Sequence, residues 1–589
     1  MKRLILIAVL IYFGLGCTSP KEESKVDLNG IFEKFAQENY ALNPLLATQN
    51  NIHQYNDQLP VDIGKDHMLK VIDLNNRYLD TLKTVNLELL TDSERLSVDL
   101  LTYQLKIKNE QLTNRYGFYT PVDQFVFSFP QRFAVLASGA GSIPFKDEKD
   151  YRNFISRMES FPLWIDQAIS NMQSGLELKF TNPRASMEKV PAQLSPLAEE
   201  AVENHIFYKP LMQLPEDMDS TAKIQLISDY TQAIETQIKP AYKKLNEFLK
   251  DTYIPNTRNT SGLLDRTNGE EEYAFWLRYY TTVDISGNEI FDLGLREVAR
   301  IRQEMDSIKV ATGFKGDLAA FFSYIKTDPK FFPFKTEEEV LNTFRSYESL
   351  MEPQLNRLFN LRPKASFEVR ATEKFREAGA NAQYMAPSRD GKRPGIFYEV
   401  IRDPLTYNYF SMEGLYIHEA IPGHHYQVAI QQEADIPEFR KGYFLSAFGE
   451  GWALYAESLG TELGMYTDPY QYMGRLNNEI ERAVRLVVDA GIHHKGWTRE
   501  EAIAYVLENQ PVSEEEAIQR IERYMVTPGQ AVSYKMGELK IIALREKAIQ
   551  ELGEKFDIRD FHDQVLKNGS MPIFLLESQI DQWIASKKL

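Results

Sequence analysis

Apolar residues recur along most of this chain at steps of three and four, the spacing that lays them on one face of an α-helix. Between positions 289 and 308 they fall at Phe291, Leu295, Val298, Ile301, Met305 and Ile308. Comparable stripes lie near 222–250, 338–358, 475–490 and 532–550. Such a stripe marks a face turned to the core and implies no cofactor. The pattern predicts a mainly α protein. Two segments interrupt it. Residues 252–270 are polar and contain Pro255, Gly262 and Gly269, which places a boundary between an N-terminal helical subdomain (29–260) and a C-terminal subdomain (261–589). Residues 384–399 carry the turn signals Pro387, Asp390-Gly391 and Pro394-Gly395. The run Ile396-Phe397-Tyr398-Glu399-Val400 is rich in strand formers, so a small β element is expected there.

The N-terminus has a pattern of its own. Met1-Lys2-Arg3 precedes an apolar run from Leu4 to Leu15 and then Gly16-Cys17. A basic start, a short apolar core and small residues before the break are the marks of a secretory signal. The run is too short to span a bilayer. Cys17 is the only cysteine and sits where a bacterial lipoprotein is cleaved and acylated, although Gly14 departs from the usual leucine. Plain cleavage without lipid is the alternative. Residues 1–17 are therefore read as a lipoprotein signal ending in the lipidated cysteine, and 18–28 as a tether. The expected location is extracytoplasmic, as an outer-membrane lipoprotein facing the periplasm or the cell surface. A formal charge of −17 over 589 residues argues against nucleic acid and against docking on anionic lipid, so membrane contact is expected through the anchor alone. Nothing in the sequence fixes an oligomeric state.

The chemistry concentrates in His418-Glu419-Ala420-Ile421-Pro422-Gly423-His424-His425, which holds three of the nine histidines. Imidazole is a good zinc ligand, and a carboxylate beside a ligand can act as general base on a metal-activated water. In His-Glu-x-x-His the histidines are four apart and share a helix face. Here His418 and His424 are six apart, which on an unbroken helix separates their directions by roughly 240°. His425 returns to the right face but lies about 10.5 Å along the axis. Pro422 cannot donate to the carbonyl four residues back, that of His418, and Gly423 can take unusual dihedrals. A break there would bring His424 into the ligand position, with His425 as its rival. Glu450 follows at a distance suited to a third ligand, in Glu450-Gly451-Trp452-Ala453-Leu454-Tyr455-Ala456-Glu457. Glu457 is the rival for that place, or else orients a ligand histidine.

These two segments resemble the bacterial family known as domain of unknown function 885, and so do Pro394-Gly395-Ile396-Phe397-Tyr398, Asp489-Ala490-Gly491-Ile492-His493 and Pro528-Gly529-Gln530-Ala531 with Tyr534. The resemblance implies relatives among zincin-like metallopeptidases, similar to the thimet oligopeptidase-like and carboxypeptidase Taq families. It implies a large helical architecture with a deep cleft and an edge strand near Phe397 that holds extended substrate. On this reading zinc is held by His418, His424 and Glu450, and Glu419 moves the proton. His493 and Tyr534 are candidates for stabilising the oxyanion. Asp489, four residues before His493, could fix its imidazole and raise its pKa, and Arg485 could pair with Asp489 or bind a substrate carboxylate. The expected function is a lipid-anchored zinc peptidase acting on extracytoplasmic peptides. Its competitors are a non-catalytic peptide- or solute-binding lipoprotein and a metal-binding protein that no longer cuts.

Overall fold

The stripe predicted at 289–308 is a helix from Gly287 to Ala311, opened by a capping box in which Ser286 and Glu289 satisfy each other's backbone N–H. The computed structural model describes residues 26–125, 128–139, 141–374, 381–389 and 392–589. The signal, Cys17, the first part of the tether and the Asp390-Gly391 turn lie outside the described residues. Helices dominate the rest. Those that frame the site, numbered here in chain order, are α1 (Gly269–Thr281), α2 (Gly287–Ala311), α3 (Glu337–Leu358), α4 (Met412–Glu419), α5 (His424–Glu433), α6 (Ser446–Ser458), α7 (Pro469–His493), α8 (Glu514–Val526) and α9 (Ser533–Leu552). Their spans bracket the stripes at 289–308, 338–358, 475–490 and 532–550, and the stripe at 222–250 falls in a continuous helical stretch from Ser220 to Tyr253. The 289–308 stripe faces the core at Val298, Ile301 and Met305 and departs from it at one position. Leu295 is 40% exposed, while Ile290 and Gly294 are buried where α2 packs along α7.

Apolar side chains from residues 59–253 form one core, rich in aromatic rings such as Phe133, Phe154, Phe161 and Trp164. Cores drawn from 334–584, 298–531 and 263–536 surround α4–α9. The two parts also touch: Arg440 donates to Ser97 Oγ at 2.8 Å, and Ser186 donates to the Glu522 carbonyl at 3.0 Å.

The β element is a three-stranded sheet. β1 (Phe367–Ala371), β2 (Gln383–Met385) and β3 (Gly395–Glu399) lie in the order β1-β3-β2. β3 pairs in parallel with β1, Val369 opposite Phe397, and antiparallel with β2, Tyr384 opposite Phe397. The expectation of an edge strand at Phe397 is therefore corrected. Both hydrogen-bonding edges of β3 are taken and all five residues are buried, so its main chain cannot receive a substrate.

Candidate metal centre

The helix carrying His418 stops one residue later. α4 ends at Glu419, and Ala420–Gly423 form a break before α5 begins at His424. Ala420 and Gly423 both leave helical geometry, with ψ of −109° and −124°. A side chain at 423 would collide with the carbonyl oxygens of Ile417 and His418, so only glycine lets the chain fold back over the end of α4. Trp452 of α6 holds the break from the other side, donating its indole N–H to the Pro422 carbonyl at 2.9 Å. The break does what an unbroken helix cannot: it turns His424 toward His418, ring centroids 4.9 Å apart.

Glu450 closes the group from α6. Its Oε2 lies 3.7 Å from His418 Nε2 and 3.6 Å from His424 Nε2. Adjacent ligand atoms of a tetrahedral zinc site stand about 3.4 Å apart, given bonds of about 2.0–2.1 Å. Among the described residues His418, His424 and Glu450 are the group whose donor atoms converge tightly enough for one ion, all within 4.8 Å of one another. Glu450 and His424 keep 17% and 12% of their side-chain exposure, so the group reaches solvent.

The rivals are placed by their hydrogen bonds. His425 points away, with Nδ1 2.9 Å from the Tyr384 hydroxyl and Nε2 3.0 Å from the Ala365 carbonyl. Both ring nitrogens are used, and burial pushes its pKa down to about 4. Glu457, on the far side of His418, accepts from Nδ1 at 2.8 Å. That contact fixes the ring and leaves Nε2 facing Glu450, the arrangement of a carboxylate behind a metal-binding histidine.

The electrostatics favour a cation. Burial opposes charging His418, yet hydrogen bonds to Glu450 and Glu457 and the charges of Glu457 and Glu419 push its pKa up to about 10. Burial likewise opposes ionising Glu450, but the two histidines hold its carboxyl far below the usual range. Three carboxylates around two imidazoles call for positive charge, whether from protons or from a metal ion. The donor set fits zinc in ligand type and in spacing.

Two α9 contacts bring Tyr534 beside this group. Ser533 Oγ meets Ser446 Oγ at 2.6 Å, one turn before Glu450, and Gly537 and Gly451 let the backbones of α9 and α6 touch. Burial and the Glu450 charge raise the pKa of the half-buried Tyr534 phenol. His493 does not join the group. It is wholly buried, with Nε2 2.9 Å from the Tyr524 carbonyl and its ring stacked on Tyr273 at 5.4 Å. Nor does Asp489 hold it: that carboxylate accepts from the Tyr273 hydroxyl at 2.7 Å and the Gly529 N–H at 3.1 Å. Burial pushes His493 down to about 3 rather than up. The expected roles of His493 and its Asp489 partner are corrected accordingly, and Arg485 pairs with Glu481 instead of Asp489.

Sequence reasoning passed over Glu399 at the end of β3. Burial raises its carboxyl to about 8, the Tyr407 hydroxyl donates to it, the nearby Glu419 charge adds to the rise, and Oε2 has no partner. A charged residue inside a run of strand formers was the available signal.

Residues 44–580 match the family described as "Bacterial protein of unknown function (DUF885)". The chain belongs to this family. A solved structure described as "the putative lipoprotein from Colwellia psychrerythraea" superposes with a TM-score of 0.86 at 27% identity, covering 95% of this chain and 99% of that one. A second, "a putative lipoprotein of unknown function from Shewanella oneidensis", gives 0.72 at 20% identity over 94% and 99%. The second likeness is one of fold alone. Comparison with curated proteins finds no match. The family's description carries no assigned activity.

Proposed function

We propose that this DUF885 chain is a metal-dependent peptidase, held by an N-terminal lipid and acting on peptides outside the cytoplasm. The observation that carries the reading is the convergence of His418, His424 and Glu450 across a broken helix, with Glu419 beside the first ligand and Glu457 behind it. The zincin-like relatives implied by the sequence resemblance support the same chemistry. A zinc ion, when bound, supplies Lewis-acid polarisation of the scissile carbonyl and of the attacking water. Glu419 takes the proton as that water attacks and returns it to the leaving amine nitrogen. Tyr534, kept protonated, donates its hydroxyl to the oxygen that becomes negative. Glu457 holds the His418 ring through Nδ1 so that Nε2 stays aimed at the ion.

The anchor rests on Cys17 and on the description of the 27%-identical Colwellia protein as a "putative lipoprotein". No helix of the described residues is long and apolar enough to cross a membrane.

Metal analysis tests the reading. The purified chain is expected to hold one zinc, to lose it in His424→Ala and to keep it in His425→Ala. A wild-type chain that binds no metal after zinc is supplied would overturn the proposal in favour of a binding lipoprotein.

A further inference from the structure

Four arginines gather on the two helices beside Tyr534: Arg482 and Arg485 on α7, Arg520 and Arg523 on α8. Two carboxylates face them. Glu481 pairs with Arg485, with Arg520 at 3.1 Å and with Arg482 at 4.0 Å, while Glu516 pairs with Arg520 at 2.6 Å. Four guanidinium groups against two carboxylates leave local positive charge, in a chain whose net charge is −17.

Much of the donor capacity in this cluster is unused. A guanidinium presents five N–H donors in a fixed fork. Arg520 spends donors on Gln510, Glu516 and Glu481, Arg482 gives one to the Asn478 carbonyl at 3.1 Å, Arg485 gives one to Glu481, and Arg523 gives one to Gln530 at 2.8 Å. The Nε atoms of Arg482, Arg485 and Arg523 are buried with no partner. A buried N–H without an acceptor is costly, and three in one cluster require an explanation. Arg485 is 8% exposed, yet its neighbours Arg482 and Arg520 keep 16% and 22% of side-chain exposure, so solvent reaches the cluster.

The cluster adjoins the metal centre through one side chain. The Arg485 guanidinium stands 4.7 Å over the Tyr534 ring, and Tyr534 lies within reach of the charges of both Glu450 and Arg523. Tyr280 of α1 also lies within reach of Arg523 and stacks on Trp276 at 5.8 Å. An anion held here would sit next to the carbonyl that Tyr534 and the ligands address.

We propose that the cluster centred on Arg485 binds the free α-carboxylate of a peptide, so that the site cleaves near the C-terminus. A planar fork matches a carboxylate by paired hydrogen bonds. The inference rests on the peptidase reading and narrows it to exopeptidase action on C-termini. The reaction needs no further reagent: water oxygen forms the new C–O bond as the C–N bond breaks, and the released fragment leaves as an amine carrying the α-carboxylate that was held.

The test is calorimetric binding of acetylated tetra-alanine, as free acid and as C-terminal amide, to the full chain carrying Glu419→Gln. The free acid is expected to bind roughly 10–100-fold more tightly than the amide, the span of a charge-assisted pair. That preference should vanish when Arg485→Gln is added, return in part with Arg485→Lys, and weaken with Arg523→Gln, whose half-exposed side chain is safer to replace. Thermal melting of each variant checks the fold. Equal binding of acid and amide, binding of neither, or a preference that survives both glutamine variants overturns the carboxylate site. The two proposals fail separately. A wild-type chain that cleaves acid and amide alike keeps the peptidase and sinks this site, whereas acid-selective binding with no cleavage of any peptide keeps the site and sinks the peptidase.

Discussion

Among the described residues before 260, Arg157 is the one buried side chain carrying a formal charge, whereas the stretch after 260 buries Glu399, Glu419, Glu457, Arg475, Glu479, Arg485, Asp489, Lys535 and Glu538, among others. Arg157 is a strut. It donates to the carbonyls of Gln58 and Tyr55 at 3.1 and 3.2 Å and to Thr48 Oγ1 at 2.8 Å, tying a loop onto an aromatic core. The later charges face one another. Lys535 has no exposure at all and meets Glu479 at 2.7 Å, Glu538 at 2.8 Å and Glu297 at 3.3 Å. Desolvating such groups costs more than packing apolar ones of the same size, so stability alone does not account for them. The first region holds a shape by burial; the second spends stability to keep charges in place around His418, His424 and Glu450.

The sharpest test of that division is Glu419→Gln. It should lower peptide turnover by roughly 10²–10⁴-fold, the range for a general base, while melting temperature and zinc content stay at wild-type values. A second test sets two variants of similar cost against each other. Phe133→Ala removes a ring from the centre of the aromatic core and should cost about 3–5 kcal/mol in urea unfolding, with zinc stoichiometry unchanged. Lys535→Met strips the counter-charge from Glu479 and Glu538 and should also cost about 3–5 kcal/mol. It differs in its second effect. Lys535 sits two residues before Gly537, which touches the Glu450 helix, so zinc affinity should fall as well. If Phe133→Ala released zinc as readily as Lys535→Met, the two regions would not be separable in this way.

The sequence carried the local half of this picture and missed the long-range half. Pro422 and Gly423 were legible as a helix break because their effect is confined to the carbonyls a turn back. The helical stripes were legible for the same reason. Asp489 and His493 were misread because their spacing says only that they share a face of α7. Which other element reaches that face is a tertiary matter, and Tyr273 from α1 and Gly529 arrive first. The family resemblance implied an edge position for Phe397, and the sequence could not correct it, because the partner strand near residue 369 lies too far along the chain for pairing to be read. Arg485 was read from the sequence as a partner of Asp489 or of a substrate carboxylate, but Arg520 and Arg523 join it only when α7 and α8 are laid side by side.

Glu457→Gln separates holding the site from forming it. The amide can no longer accept from His418 Nδ1 with full charge, so zinc affinity should drop about 10–100-fold. Stability without zinc should fall as well, because the variant takes the counter-charge from the buried His418 imidazolium. Competition with a fluorescent zinc chelator measures the first effect and metal-free urea unfolding the second. Unchanged affinity would place Glu457 with Arg157 as a structural group only.

The smallest expected effect is on pH. His562 is wholly buried, its Nδ1 2.7 Å from the Leu358 carbonyl and its Nε2 2.8 Å from the Tyr455 hydroxyl on α6. Burial pushes it down to about 3, as it does His493. The unfolded chain takes up a proton near pH 6.5 and the folded chain does not. Stability from each histidine is therefore full above pH 6.5 and is lost progressively as pH falls toward 3. Between pH 7 and pH 5 each should remove about 2 kcal/mol. His562→Gln, which cannot titrate, should cancel about half of the combined loss while lowering stability at pH 7, and urea midpoints at the two pH values measure both. Both histidines belong to the charged region, so acid should open that region first and leave the aromatic core of 59–253 standing. Hydrogen exchange at pH 5 that loosens the aromatic core before α6 and α7 would reverse the order and break the comparison.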